Sequence, residues 1–411
     1  MDLSLISGHR ALSFMQSFDF IREAGSDGDK KASDTIVSFL EALGLQPVVE
    51  PFTFEMDVID EVSFTVTEPF QKSYRVAGYL GSGSTDVPLE APFVYAENGD
   101  PISLRNVEGK IVLVNGPVRP DLYDRLMESG AAAFLSVAGT PIDEGVDLVP
   151  AHRELRFPGE AKLPSGILHH RDVIDLVEAG ASRACFTLKQ HRVTKTSRNI
   201  VLPLPGTDPA LQNEILTITA HYDSVPAGKG AYDNLSGCGI VYELLTYFAA
   251  HPAKRPITFI WFGGEEKGLL GSRAYVRAHS AEIPQNRLNL NIDLAGQLVG
   301  GTVYGVTAEK SVDELLLRLA AEAGFGAETK NQVWSSDSNS FAAAGVPAVT
   351  LDRDGFGMHT RHDILAYISW WSLERDARML GYAADYLANS DVFPIERKVP
   401  EEYLEKLNRR R

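Results

Sequence analysis

The chain has 411 residues, of which 44% are hydrophobic and 23% charged, so it can bury the cores of two or three domains. Its formal net charge of −16 argues against nucleic acids and anionic membranes as partners. Two cysteines, Cys185 and Cys238, are too few for a disulfide framework. Because the sequence shows no signal peptide and no apolar run of about 18 residues, we expect a cytoplasmic protein with no membrane contact.

The first predicted elements form the N-terminal part of a catalytic domain, residues 1–56. Residues 3–22 mix polar and apolar side chains and predict helix. A clearer helix is predicted over 29–43, because apolar residues recur there at three- and four-residue spacing and Gly44 follows. An extended segment, residues 46–54, comes next.

Residues 57–191 differ in character, with short strand patterns broken by Gly, Pro and Asn. Residues 109–139 predict strand, helix and strand, and 165–180 repeat the strand–helix pattern. The GKIVLV and GAAAFLSV segments of residues 109–139 resemble the protease-associated domain. We therefore expect an inserted, strand-rich α/β domain without catalytic residues, in which His169 and His170 face solvent. Whether this insert caps a site, narrows access or mediates assembly is left open.

Strands and helices alternate through residues 192–411, the main part of the predicted catalytic domain. This alternation predicts a three-layer α/β/α fold, in which a mostly parallel mixed sheet carries helices on both faces. The predicted strands are 199–204, 215–220, 257–262, 288–294 and 348–351, and the predicted helices are 236–250, 269–279, 312–323 and 373–388.

Polar side chains stand where the predicted strands end. Ligands of open α/β sheets bind beyond the carboxyl ends of the strands, so we expect these side chains to converge. Charged residues at the ends of apolar strands are costly to bury unpaired. An imidazole and carboxylate set without thiolates suits Zn²⁺, with Co²⁺ or Mn²⁺ as possible occupants. The residues are His221, Asp223, Asp233, Glu265, Glu266, Asp293, His359, His362 and Asp363.

Six motifs occur in an order that resembles the di-zinc exopeptidase family of bacterial leucyl aminopeptidase. Glutamate carboxypeptidase and glutaminyl cyclase are more distant relatives. The resemblance covers residues 199–390 and the N-terminal helix, and a protease-associated insert ahead of this core is common in the family. The motifs are HYD (221–223), DNLSG (233–237), GGEEKGLLGS (263–272), NIDLAG (291–296), SSDSNSF (335–341) and HTRHD (359–363).

The resemblance implies two zinc ions and five protein ligands. His221 and Asp293 would bind one zinc, and Glu266 and His359 would bind the other. Asp233 would bridge both ions. The family spacing His-Thr-x-x-Asp selects His359 as the ligand ahead of the nearby His362.

Two further carboxylates receive catalytic roles from the resemblance. Asp223 would fix the tautomer and orientation of His221. Glu265 would be the general base that takes a proton from the water shared by the two metals. Adjacent residues on an extended chain point in opposite directions, which supports different roles for Glu265 and its neighbour Glu266.

The sequence departs from the family pattern at two positions. Many relatives have His after Ser-Asp, whereas this chain has Ser338. Some aminopeptidases use a Tyr to stabilise the oxyanion, but the corresponding position here is Val333. Tyr232 or Ser335 could substitute for that tyrosine.

We expect a metal-dependent aminopeptidase that hydrolyses short peptides. A carboxypeptidase or another amide hydrolase is the alternative, since Arg353 or Arg361 could bind a C-terminal carboxylate, whereas a free N-terminus needs an acidic group near the metals. A non-catalytic binding protein is less well supported, because such a protein should lack a ligand and none is missing. Side-chain preference and oligomeric state are left open.

Overall fold

The chain falls into two compact units in the computed structural model, which describes residues 1–116, 118–139, 152–155 and 163–409. The core unit is Met1–Phe54 with Thr196–Arg411, and the insert unit is Glu55–Lys195. The sequence places the insert at residues 57–191, within a few residues of these bounds. That it is a protease-associated domain stays a prediction.

The elements are numbered through the chain. The strands are β1 (Val48–Glu68), β2 (Lys72–Tyr74), β3 (Val76–Leu80), β4 (Leu89–Tyr95), β5 (Ile111–Val114), β6 (Ala133–Ala138), β7 (Arg153–Glu154), β8 (Ser165–His169), β9 (Arg183–Leu204), β10 (Ile215–His221), β11 (Ile257–Phe262), β12 (Asn286–Ile292), β13 (Thr302–Thr307), β14 (Glu328–Asn331) and β15 (Ala348–Arg353). The helices are α1 (Gly8–Met15), α2 (Asp27–Ala42), α3 (Pro120–Glu128), α4 (His170–Glu178), α5 (Ser236–Ala250), α6 (Leu270–Ala278), α7 (Ser311–Glu322), α8 (Ser338–Ala342), α9 (Trp370–Asn389) and α10 (Glu401–Asn408). None of the described helices is long and apolar enough to cross a bilayer.

The sheet of the core unit is mostly parallel, as predicted. Its strand order is β14-β13-β15-β12-β10-β11-β9. The four central strands, β15, β12, β10 and β11, run parallel to one another. The two antiparallel pairings lie outside them, between β13 and β15 and between β9 and β11.

Helices cover both faces of this sheet, and strand β11 shows why. Its residues alternate between two apolar clusters, as side chains on a strand must. Phe259 and Trp261 are buried in the large cluster that includes residues of α1, α5 and α9. Ile260 and Phe262 are buried in a second cluster, where the Phe262 ring lies 5.9 Å from that of Tyr275 in α6. A strand that is buried on both sides has the continuous apolar sequence seen here.

The strand register brings the carboxyl ends of the central strands to one edge. His221 at the end of β10 lies opposite Phe262 at the end of β11. On the other side of β10, Thr219 pairs with Asn291 of β12, which pairs in turn with Thr350 of β15. The loops that follow these strands therefore leave the sheet next to one another.

In the insert unit, β4, β5, β6 and β8 run parallel, and β3 pairs antiparallel with β8. The prediction that both of its adjacent histidines face solvent is wrong for His169, which is 2% exposed. His169 caps helix α4, and its Nδ1 accepts the backbone N–H of Arg171 at 3.3 Å.

Candidate metal centre

His221, Asp233 and Asp293 form the first cluster of ligand atoms at the sheet edge. The imidazole of His221 is 1% exposed, because it ends a strand with helix α5 packed against it. Its Nε2 lies 3.2 Å from Oδ1 of Asp233 and 3.3 Å from Oδ1 of Asp293. Asp293 directly follows β12, whereas Asp233 comes from the loop ahead of α5.

Asp233, Glu266 and His359 form the second cluster. Nε2 of His359 lies 3.0 Å from Oδ2 of Asp233 and 3.1 Å from Oε2 of Glu266. The two oxygens of Asp233 thus face different histidines, and this carboxylate is common to both clusters. His362 belongs to neither cluster of described residues, and the structure thus places His359, not His362, among the candidate ligands.

The spacing within the clusters fits metal ions held between the side chains. Four ligands at about 2.0–2.1 Å from a tetrahedral zinc lie about 3.3 Å from one another. The four imidazole–carboxylate distances above are 3.0–3.3 Å. A direct ion pair with a charged hydrogen bond would be shorter, about 2.7–2.9 Å. Both clusters therefore have the size and the nitrogen and oxygen donors of a zinc site.

The charges of the two clusters are strongly coupled. Burial lowers the pKa of His221, but the carboxylates around it, Asp293 first, outweigh burial and raise that pKa well above its usual value. The nearby carboxylates of Asp233 and Glu266 raise the pKa of His359 to about 10. Burial and the neighbouring Asp233 raise the pKa of Glu266 to about 7. The raised imidazole pKa values reflect the surplus of carboxylates, whose negative charge a bound divalent cation would also offset.

Asp223 links the imidazole of His221 to the loop that follows β11. Its side chain is fully buried, and Oδ1 lies 3.4 Å from Nδ1 of His221. The same carboxylate accepts the backbone N–H groups of Glu265 at 3.0 Å and Glu266 at 3.2 Å. One carboxylate thus orients a candidate ligand and fixes the two glutamates, which is more than the orienting role expected from the sequence.

Glu265 lies beside the centre but belongs to neither cluster of described residues. Burial raises its pKa well above the usual value, and the carboxylates of Asp293 and Asp337 add to the effect, while His221 opposes it. A carboxylate with a raised pKa holds a proton more readily, as a general base must.

Two residues that the sequence did not single out for a role position candidate ligands. The carboxylate of Asp363 accepts the backbone N–H groups of Tyr232 at 2.5 Å and Asp233 at 3.0 Å. Ser336 donates its hydroxyl to Oδ2 of Asp293 at 2.5 Å. Both lie inside motifs that carry the family resemblance, so the motifs could have indicated them.

The structure decides between the candidates for the missing oxyanion tyrosine. Tyr232 is 3% exposed and donates its hydroxyl to the backbone carbonyl of Arg353, so proposing it was wrong. Ser335 is exposed and stays a candidate. Ser338, at the position of the family's histidine, is buried and accepts the hydroxyl of Thr350 at 2.7 Å.

Arg353 is not available to bind a substrate carboxylate. Its side chain is buried at 3% exposure, and its guanidinium donates to the carbonyls of Gln297 at 2.6 Å and Leu298 at 3.0 Å. A third N–H group reaches Oγ1 of Thr302 at 2.8 Å. Of the two arginines considered from the sequence, only Arg361 remains, and it is partly exposed.

Comparisons with known proteins find similar sequences and a similar fold. Residues 199–384 match peptidase family M28. The chain is 28% identical over 341 residues to aminopeptidase YwaD of Bacillus subtilis, covering 80% of this chain and 71% of that protein. It is 28% identical over 193 residues to probable leucine aminopeptidase 2 of Aspergillus oryzae, of which it spans only 38%. The structure of BSAP, a zinc aminopeptidase from Bacillus subtilis, superposes with a TM-score of 0.81 at 24% identity, covering 97% of this chain and 99% of that one.

Proposed function

We propose, from the site that residues 199–384 carry and from their match to peptidase family M28, that the protein is a zinc-dependent aminopeptidase of this family. One observation carries the proposal. Asp233 stands between two histidines at 3.2 and 3.0 Å, a spacing suited to two metal ions that share one carboxylate. We assign His221 and Asp293 to one ion, and Glu266 and His359 to the other.

The residues around this centre have separate roles in amide hydrolysis. Two bound zinc ions would supply Lewis acidity and a water with a lowered pKa. Glu265 would be the base that takes a proton from the attacking water and later delivers a proton to the leaving amine. Asp223 holds the loop of Glu265 through two backbone N–H groups, so the base stays in place during both proton transfers.

The charges near the centre favour a substrate amine over a substrate carboxylate. Five carboxylates surround the two histidines: Asp223, Asp233, Glu265, Glu266 and Asp293. Arg353, which could have bound a C-terminal carboxylate, is buried against backbone carbonyls. The aminopeptidase is therefore better supported than the carboxypeptidase. The intact ligand set speaks against a non-catalytic binding protein.

An exposed apolar surface beside His359 supports a preference for apolar N-terminal residues. Phe356 is 56% exposed, Met358 is 45% exposed, and the ring of Tyr367 lies 4.9 Å from that of Phe356. Gln297 fixes this segment, because its side-chain amide binds both the N–H and the carbonyl of Phe356, at 3.0 and 2.7 Å. Solvent-exposed aromatic and thioether groups next to a reactive centre are suited to bind an apolar side chain.

A panel of dipeptides and blocked peptides tests the proposal. We expect hydrolysis of leucyl peptides with a free amine, weaker hydrolysis of lysyl and aspartyl peptides, and none of N-acetylated or carboxypeptidase substrates. All activity should stop with a chelator and return with zinc. Hydrolysis of the N-acetylated peptide at a similar rate would contradict the aminopeptidase assignment. That the protein works in the cytoplasm also stays a prediction, which cell fractionation would check.

A further inference from the structure

Arg22 is completely buried behind the metal centre and binds only backbone carbonyls with its guanidinium. It lies between α1 and α2, and its carbonyl partners come from its own segment and from the loop after β10. They are Tyr222 (Nε, 2.6 Å), Phe18 (Nη1, 3.3 Å), Phe20 (Nη1, 3.0 Å), Lys229 (Nη1, 2.5 Å) and Gly230 (Nη2, 2.9 Å).

These contacts close the loop of residues 222–230 at both of its ends. The loop starts directly after His221, and two residues separate its last residue from Asp233. Arg22 holds the first residue, Tyr222, and the last residue, Gly230, with one planar group. Its backbone also takes part, since its N–H donates to Oγ of Ser224 at 3.0 Å and its carbonyl accepts the Ser224 N–H at 3.3 Å.

The charge of Arg22 has no direct counterion in the part of the chain that the structure describes, where each of its partners is a carbonyl or a hydroxyl. A buried arginine without a paired carboxylate is costly. Burial lowers its pKa to about 10, so it stays charged at neutral pH, and Asp223, Asp363 and Asp233 oppose the lowering. These three carboxylates interact with the charge of Arg22, and each of them is a candidate metal ligand or orients one.

We propose that Arg22 is a positioning residue of the metal centre, which holds His221 and Asp233 at the separation needed to share one metal ion. The proposal rests on the zinc-dependent function proposed above. The guanidinium fixes the loop between the two ligands, and its positive charge stabilises the ionised carboxylates of Asp223 and Asp233. Arg22 touches neither a ligand side chain nor the substrate, so it acts through the loop.

The variant Arg22→Lys keeps the positive charge of the side chain and removes the planar guanidinium with its several N–H donors. Lysine keeps the positive charge but has three N–H donors on one atom and cannot bind both ends of the loop at once. The matched control is Arg255→Lys. Arg255 is also buried, at 1% exposure, but it binds groups outside both clusters, among them the carbonyl of Leu387 at 3.3 Å and Oε2 of Glu214 at 2.8 Å.

Two readouts besides activity distinguish positioning from simple stability. Zinc affinity is measured by competition with a chromophoric chelator, and ligand geometry by the d–d absorption bands of the Co²⁺-loaded protein. We expect Arg22→Lys to bind zinc about 10- to 100-fold more weakly, the effect typical of groups that orient metal ligands. Its cobalt bands should shift or lose intensity. Arg255→Lys should lower the melting temperature and leave both readouts unchanged.

The proposal is overturned if Arg22→Lys loses thermal stability as Arg255→Lys does but binds zinc and cobalt as the wild type does. If Arg22→Lys does not fold, Ser224→Ala carries the test, because it removes only the hydroxyl that accepts the Arg22 N–H. Weaker zinc binding by that variant supports the proposal, and unchanged binding overturns it. Failure of the wild type itself to bind zinc would instead refute the metal-dependent function.

Discussion

Two adjacent glutamates, Glu265 and Glu266, have different surroundings in the centre, and a single substitution tests the difference. Glu265→Gln should keep its zinc, because Glu265 lies outside both ligand clusters. It should lose on the order of 10²-fold or more in kcat, because a neutral amide cannot take up a proton. Glu282→Gln, an exposed change in the same unit, is the control and should have wild-type kcat. Near-normal turnover by Glu265→Gln would show that another group is the base.

The choice between two nearby histidines can also be tested one residue at a time. His359→Ala should lose about one of two zinc equivalents, because its Nε2 lies 3.0 and 3.1 Å from Asp233 and Glu266. His362→Ala should keep both. Metal analysis of the two purified variants makes the measurement, and equal zinc contents would remove His359 from the ligand set.

The burial of Asp352 predicts how the stability of the protein changes with pH, which can be measured without an activity assay. Burial raises its pKa to about 7, and Asp293 and Asp354 add to this, while Lys330 opposes it. A raised pKa in the folded state means that stability from this group is complete below about pH 4, its unfolded pKa, and is lost as pH rises through 7.

Asp352→Asn should therefore raise the melting temperature relative to wild type at pH 8 and have little effect at pH 4. The two proteins are compared by thermal denaturation across that range. A difference that is the same at both pH values would contradict the burial of an ionisable Asp352.

Individual residues were predictable where a motif and a strand end coincided. His221, Asp233, Glu266, Asp293 and His359 follow buried strands or precede a helix, and the structure brings them together. Arg22 was not predictable, because the loop that it holds lies about 200 residues further along the chain and is bound through backbone carbonyls. No side-chain pattern in a sequence reports a backbone acceptor.

At the scale of elements, the loop after β11 begins with Gly263, which packs so closely against its neighbours that no side chain fits at this position. A Cβ on Gly263 would collide with Oγ of Ser197 and lie 2.8 Å from the carbonyl of Arg198 and 2.9 Å from the hydroxyl of Tyr222. Gly263→Ala should therefore displace the loop that carries Glu265, lower stability by about 1–3 kcal/mol and reduce kcat.

The control for this substitution is Gly326→Ala, since a Cβ on Gly326 meets no atom within 4 Å. It should be neutral in both activity and unfolding by denaturant. If Gly263→Ala behaves in the same way, the loop can shift without cost and its packing does not position the base.

The accuracy of the predicted elements followed the strength of their apolar patterns. Helix α5 begins and ends at the predicted residues, 236 and 250, because most of its residues are apolar and buried. Strand β14, Glu328–Asn331, was not predicted, since its four residues are all polar. Residues 3–22 were predicted as helix throughout, whereas the α-helix spans only Gly8–Met15, with short 3₁₀ turns before and after it.

The long strands β1 and β9 show a second limit. Each was predicted as two shorter extended pieces, residues 46–54 and 61–66 in β1 and residues 183–189 and 199–204 in β9. The residues between these pieces are mostly exposed or partly exposed and carry no regular apolar alternation. Backbone pairing continues through such segments without any requirement on the side chains. Strand length is therefore underestimated wherever a strand leaves the apolar core.

For the whole molecule, the alternation of strands and helices was sufficient to predict the fold class. The prediction of an α/β fold with a mostly parallel sheet is confirmed by the structure and by its similarity to the zinc aminopeptidase structure from Bacillus subtilis. The net charge of −16 agrees with a centre built from carboxylates but does not require one. The apolar pattern of the insert unit predicts which residues form its core. It does not predict what the surface of the unit binds, so the role of the unit does not follow from it.

The number of zinc ions that activate the chain tests the central claim most directly. Metal-free protein is titrated with zinc while leucyl-peptide hydrolysis and bound metal, counted by native mass spectrometry, are followed together. We predict that two zinc ions bind per chain and that activity rises with them, because Asp233 offers one oxygen to each cluster. Hydrolysis of the leucyl peptide by the metal-free chain, with no zinc bound in either cluster, would contradict a zinc-dependent centre.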